Sequence, residues 1–246
     1  LVFSGHTLAI ECIGLCSADV VVTSCLQGKV FIWDAKKAQE EERFGSLRHR
    51  TVPVAVVPST QSSANGAIAF FREAKMKRDE HSCDLPQIWC MAVMQNSIIL
   101  GCADGSVEIA NSELGRVVGI FEGSHSKAGV IHLQIRCGRA VIVRLDGTIE
   151  FLDIRLSVDQ PQLVHHMRSV WYGRAHQMPI THLEAGPVSV VTASHDHTLK
   201  VFDVRTSGLQ FTLQGHNASV VSACIDHGTN VSPMFIVYCD VPQCRA

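Results

Sequence analysis

No apolar run in the 246 residues approaches the roughly 20 that a helix needs to cross a bilayer, so no direct membrane span is expected. Neither sign of charge dominates: 21 Lys and Arg against 23 Asp and Glu leave a net charge of −2. A basic footprint spread over the whole surface is therefore excluded, and no nucleic-acid partner is expected. The opening LVFSGH has no initiator Met and no charged segment leading into an apolar one. No signal peptide is visible, and the chain is expected to be a piece of something longer. CxxC is absent, and neither Cys12/Cys16 nor Cys239/Cys244 has a second ligand pair at zinc-finger distance, so no metal is expected. GxSxG, HExxH, the P-loop and GxGxxG are missing too, which leaves no catalytic residue and no cofactor to name.

What is present is globular. Hydrophobic residues make up 46% of the chain, enough for a sizeable core. The ten cysteines, among them Cys25 in VVVTSCL and Cys102 in SIILGCADG, mostly fall inside apolar runs. Such placement suits reduced, buried thiols in a cytosolic setting.

The organising feature is internal repetition. Four segments, VVVTSCLQGKVFIWDA, SIILGCADGSVEIANS, AVIVRLDGTIEFLDI and SVVTASHDHTLKVFDV, each carry a β-branched run, a turn residue and an alternating tail. The turn residues are Gln27, Asp104, Asp146 and Asp196; six positions later come Trp33, Ala110, Leu152 and Phe202, followed by Asp34, Asn111, Asp153 and Asp203. Gly5-His6, Ser124-His125 and Ala175-His176 open three of the repeats, 26 or 27 residues ahead of the aromatic-or-leucine position, and Gly215-His216 opens an incomplete one. This is the WD-repeat pattern, with four strands per blade. The expected fold is all-β: an incomplete WD-type β-propeller of about four blades plus a fragment.

The repeats run over 5–34, 86–111, 123–153 and 175–203, with the incomplete one at 215–227. The partial propeller thus covers 1–227, interrupted by an insertion at 46–84, and 228–246 forms a divergent tail. Within the insertion, PSTQSSANG reads as a flexible loop, and FFREAKMKRDEHSC as a short helix with Phe70, Phe71 and Ala74 free to pack. Its cations Arg72, Lys75, Lys77 and Arg78, interleaved with Glu73, Asp79 and Glu80, read as a solvated surface. Residues 155–171, with Pro161 and His165-His166, read as a second connector. The acceptor patterns at Asn217 and Asn230 are expected to carry no glycan.

Histidines crowd one turn, His195-Asp196-His197, and could be read as metal ligands or half of a catalytic relay. The repeat explains them better. Asp196 is the turn acid facing the opening His176, and His197 stands where the other repeats have glycine, a left-handed position that Asp and His tolerate. Loop geometry nominates Lys29, Lys127 and Arg144 as partner contacts.

Three stretches carry a narrower likeness: IECIGLCSADVVVTSCLQGKVFIWDA, IWCMAVMQNSIILGCADGSVEI and AHQMPITHLEAGPVSVVTASHDHTLKVFDVRTSGLQFTLQGH. Together they resemble the C-terminal WD-repeat domain of the cleavage-activating escort family of the sterol regulatory element-binding proteins. The Phe202-for-Trp replacement is part of that likeness. The resemblance implies a non-catalytic domain that binds the C-terminal regulatory domain of the transcription-factor precursors. It also implies a membrane-embedded parent protein, with the propeller on the cytosolic face of the endoplasmic reticulum and travelling in COPII vesicles to the Golgi. The family's sterol-sensing membrane half is absent from this sequence. A generic WD scaffold or ubiquitin-ligase substrate adaptor is the alternative role, although nothing resembles an F-box.

Overall fold

In a computed structural model of the chain, the described residues are 6–26, 28–36, 67–69, 86–122, 126–156, 164–226 and 234–239. Gln27, Ser124-His125, Pro161, Asn230, and the expected loop, helix and basic cluster of the insertion all lie outside them.

Every described element that packs a core is a strand. The first sheet is β1 (Ile10–Leu15), β2 (Val20–Cys25), β3 (Val30–Asp34) and β4 (Ala67–Ala69), in that order. The second is β5 (Ile88–Met94), β6 (Ser97–Cys102), β7 (Ser106–Asn111) and β8 (Arg116–Glu122). The third is β9 (Val130–Arg136), β10 (Arg139–Arg144), β11 (Thr148–Leu156) and β12 (Val164–Arg174); the fourth is β13 (Ile180–Ala185), β14 (Ser189–Ser194), β15 (Leu199–Asp203) and β16 (Leu209–Leu213). A fifth sheet pairs β17 (Val220–Asp226) with β18 (Met234–Cys239). Consecutive strands within these sheets pair antiparallel, as in β10–β11, β14–β15 and β6–β7, which suits the tight turns between them.

Two readings of the sequence are corrected by these strands. Most of the supposed connector 155–171 is the end of β11 and the start of β12. The segment after Asp226, read as abandoning the repeat, supplies β18, paired with β17 from Val220↔Cys239 to Asp226↔Met234.

The chain divides into two compact units, residues 1–122 with 156–165, and 123–155 with 166–246. In the first, Val22, Val30 and Ile32 of one sheet pack against Ile88, Ile98, Leu100, Cys102 and Ala110 of the next. In the second, strand alternation splits the side chains between two cores. Val190 of β14 joins Val141, Val143, Ile149, Phe151 and Phe202, while Val191 and Ala193 join Leu199, Val201, Val220, Ala223 and Ile225. Each such aliphatic or aromatic side chain contributes about 1.5–3 kcal/mol of transfer free energy. Trp171 of β12 meets Phe151 and Phe202 at ring-centroid distances of 6.0 and 6.1 Å, closing that core at the third sheet's outer strand.

Polar side chains secure the edge of β13. Spaced two apart on β9, His132 Nε2 bonds the carbonyl of Thr181 (3.0 Å), Gln134 Nε2 that of Leu183 (2.8 Å) and Arg136 Nε that of Ala185 (3.2 Å). These bonds satisfy acceptors that an edge strand would leave open. Seven cysteines are free: Cys25, Cys90 and Cys102 are buried, Cys12 and Cys16 half-buried, and Cys137 and Cys224 exposed.

Candidate functional site

The repeat residues converge at one end of the third and fourth sheets. The position after the turn residue has positive φ in all four repeats: Gly28 (71°), Gly105 (83°), Gly147 (82°) and His197 (66°). Three of these turns share one device. Asp104 Oδ1 accepts the backbone N–H of Ser106, Asp146 Oδ1 that of Thr148 and Asp196 Oδ1 that of Thr198, at 3.0, 3.0 and 3.1 Å. An acid two residues before a hydroxyl residue is an Asx-turn signal legible in DGS, DGT and DHT.

In the fourth sheet the turn anchors a buried chain of hydrogen bonds. His176, 1% exposed, donates from Nδ1 to Asp196 Oδ2 (2.9 Å), and its Nε2 accepts from the Thr192 hydroxyl (2.8 Å). Burial pushes the imidazole below its ordinary value in spite of the Asp196 bond, so the ring is neutral and the pair is a charge-assisted hydrogen bond rather than an ion pair. Burial alone would raise the Asp196 carboxyl; the bonds from Thr198 and His176 outweigh it and hold the group below its ordinary value. Gln177 N also donates to Asp196 Oδ2 (3.2 Å), tying the segment that enters β13 to the β14–β15 turn.

The first sheet holds the complementary part of this chain. Trp33 Nε1 donates to Thr23 Oγ1 (2.8 Å), and Thr23 lies 2.6 Å from His6 Nε2. The His6 Nδ1, where the fourth sheet has its aspartate, has no partner among the described residues. Conversely, Phe202 gives Thr192 no indole N–H, and the Thr192 hydroxyl lies 3.4 Å from the Lys200 carbonyl. Thr23 and Thr192 escaped the sequence reading, although a hydroxyl four residues before the turn residue marks both.

Around this network, Gly147 O accepts from the backbone N–H groups of Ala175 (2.9 Å) and His176 (3.2 Å). Ser126 Oγ donates to Asp146 Oδ2 (2.7 Å). Burial would raise the Asp146 carboxyl as well, but hydrogen bonds from Ser126 and Thr148 and the charge of Arg144 leave it lowered. The fixed turns border a cavity of about 310 Å³ lined by Leu145, Asp146, Arg174, Gln177 and Pro179. Leu145 and Met178 are 47% and 49% exposed. Lys127, Arg174, His195 and His197 are also exposed.

The nominated contacts separate. Lys29 and Lys127 are exposed, on different units of the chain. Arg144 is only 1% exposed: it donates to Ala128 O (3.0 Å) and lies 3.4 Å from Glu150 Oε2, itself a buried carboxylate. Its position near the end of β10 suggested a loop cation, but its side chain turns into the sheet, and it cannot make a surface contact. Of the repeat-end residues, Asn111 and Asp203 accept backbone N–H bonds from the turns after β7 and β15, Asp153 pairs with Arg139 (3.1 Å), and Asp34 is half-buried, as is the opening His216 of the incomplete repeat. His195 and His197 belong to no group of three metal-ligating side chains among the described residues.

No family model matches the chain. It is 26% identical over 161 residues to the sterol regulatory element-binding protein cleavage-activating protein of Xenopus laevis, a match covering 56% of this chain and 12% of that relative. It is 27% identical over 152 residues to the angio-associated migratory cell protein of Homo sapiens, covering 54% of this chain and 32% of the relative. The matched regions thus span less than a third of these relatives' lengths. Among solved structures, a chain of the mitotic checkpoint complex aligns with a TM-score of 0.57, covering 87% of this chain and 52% of that one at 15% identity. The computationally designed Ika8 protein aligns at 0.52, covering 91% of this chain and 67% of that one at 20% identity. With its repeated four-stranded antiparallel sheets, the chain has the all-β fold of a WD-type propeller with an incomplete set of blades.

Proposed function

We propose that the chain is a non-catalytic protein-docking domain that receives its partner at the network-stiffened end of the third and fourth sheets. The observation carrying this reading is the exposure of Leu145 and Met178 beside Lys127 and Arg174, on turns held by the bonds of Asp146, Gly147, His176 and Asp196. Apolar side chains on turns already immobilised lose little conformational entropy on binding, which is how a preformed surface gains affinity. The His–Asp–Thr chain serves as a brace rather than a relay. Its imidazole is buried and neutral, and its carboxylate is occupied by four donors, His176, Gln177 and the N–H and hydroxyl of Thr198.

In its finer form, the partner is the C-terminal regulatory domain of a sterol regulatory element-binding protein precursor, bound on the cytosolic face of endoplasmic reticulum and Golgi membranes. The three family-like stretches and the Xenopus laevis relative support this form. Among the described residues no helix is long and apolar enough to cross a membrane, so attachment would come from elsewhere in a parent protein. Lys127 is proposed as a rim contact of this surface, and Lys29, on the other unit, as a separate partner contact. The test is a pull-down against that regulatory domain, with Leu145→Glu and Met178→Glu variants alongside. Capture by the unaltered chain and loss in both variants is expected; equal capture by all three contradicts the proposed surface.

A further inference from the structure

The opposite end of the same two sheets carries a different chemistry. β10 begins there with Arg139, and the β9–β10 turn is Cys137-Gly138, with φ of 50° and 74°. The turn after β15 brings Arg205 to the same place, and Cys137, Arg139, Pro187, Val204 and Arg205 line a cavity of about 340 Å³. Arg139 is held from two sides. Its Nε bonds Asp153 Oδ1 (3.1 Å), and its Nη1 donates to the Val204 carbonyl and to Ser207 Oγ (2.9 Å). Nη2 takes no part in these bonds, so a pinned guanidinium keeps a donor spare. Arg205 is exposed; its backbone N–H bonds Asp203 Oδ1, and among the described residues no side-chain hydrogen bond or ion pair engages its guanidinium.

The nearby acids are largely committed. Asp203 Oδ1 accepts the backbone N–H groups of Arg205 and Thr206 (2.8 Å each), and its Oδ2 accepts from Gln210 (3.2 Å). Asp153 is taken up by Arg139, and Glu184 lies 4.0 Å from His182. Against these acids stand Arg139 and Arg205 in the lining and Arg136, which pairs with Arg139 across the β9–β10 hairpin. The Gly138 side of the turn is open: a Cβ there would meet nothing within 4 Å. The sequence shows the arginines only as R-C-G-R and D-V-R, more than 60 residues apart.

We propose that this cavity binds an oxyanion carried by a protein segment, a carboxylate or phosphoryl group clamped between Arg139 and Arg205. The exposed Arg205 guanidinium can match either group through paired N–H donors, and Arg139, oriented before the ligand arrives, adds its remaining Nη2 donor. This site is independent of the docking surface at the other end of the sheets.

Fluorescence anisotropy of the full chain tests it with three labelled octapeptides, identical except for a central phosphoserine, glutamate or serine. Inorganic phosphate serves as competitor. The expected result is binding of the phosphoserine or glutamate peptide at least tenfold tighter than the serine peptide. That preference should be lost in Arg205→Ala, partly kept in Arg205→Lys, and unchanged in Leu145→Glu. A phosphoserine preference displaced by phosphate assigns a phosphoryl ligand; equal binding of the glutamate peptide assigns a carboxylate. Equal affinity for all three peptides, or a preference surviving Arg205→Ala in a chain with an unchanged melting curve, overturns the proposal. So does Arg205-dependent binding of a single-stranded oligonucleotide in preference to every peptide.

Discussion

Asp196→Ala should destabilise the chain by about 3 kcal/mol, because it strands a buried histidine. Gln177 N and the Thr198 groups bonded to the same carboxylate lie at exposed or part-buried positions, where water can replace it. His176 cannot be rescued in that way: at 1% exposure its Nδ1–H has, among the described residues, Asp196 Oδ2 and, at 3.2 Å, the Thr198 hydroxyl. A charge-assisted hydrogen bond contributes about 1.5–3 kcal/mol, and a buried donor left unmade costs about 1–3 kcal/mol. The two overlap, and Thr198 recovers a fraction, so about 3 kcal/mol is the expected sum. For a chain of this size each kcal/mol lowers the melting temperature by about 2–4 °C, giving a shift of roughly 9 °C. Urea unfolding followed by tryptophan fluorescence reads the change, and Asp196→Asn, which retains an acceptor, should lose less than half as much. A loss under about 0.5 kcal/mol for Asp196→Ala would refute the brace.

Other perturbations probe the neighbouring residues. Gly147→Ala should cost at least about 2 kcal/mol by thermal melt, because its Cβ would lie 2.4 Å from the His176 carbonyl oxygen at φ +82°. His197→Gly, at φ 66°, should be neutral or stabilising by up to about 1 kcal/mol and leave binding unchanged; lost binding would revive a ligand role for that histidine. Arg144→Ala should cost about 3–5 kcal/mol by leaving Glu150 buried and unpaired, whereas Arg144→Met with Glu150→Leu should recover most of it in the same urea assay. Burial is the first cause lowering His6, His132 and His176 below their ordinary value, so the unfolded chain takes up protons before the folded one does. Stability is then fully present above about pH 6.5 and falls as pH drops below it; urea midpoints at pH 7.5 and 5.5 that coincide would contradict this.

The inner strands were legible because their burial is one-sided or complete. VFIWD and LKVFD alternate, and SIILGC and SVVTAS are buried throughout. Outer strands carry no such signal. β16 is exposed at all five positions, and β12 mixes buried Val164 and Met167 with exposed Val170, Trp171 and Tyr172, so VHHMRSVWYGR reads as a connector. At the candidate site, a fixed offset revealed His176, Asp196 and the left-handed turn. The hydroxyls of Thr23 and Thr192 lay outside the motif that was sought, and nothing local distinguishes the inward turn of Arg144 from that of a loop arginine. The β9–β13 bonds join residues 49 apart, and the cavity between Arg139 and Arg205 joins turns of different repeats. Such contacts exist only once the sheets are packed.

The most direct test of the docking surface is the affinity of the chain for the regulatory domain of a sterol regulatory element-binding protein precursor, measured by isothermal titration calorimetry. The unaltered chain is compared with Leu145→Glu/Met178→Glu, after both are shown to melt alike. Saturable binding by the first, weakened at least tenfold in the second, is the predicted result. Equal affinities would contradict docking at the braced turns, and no binding by either would contradict that partner.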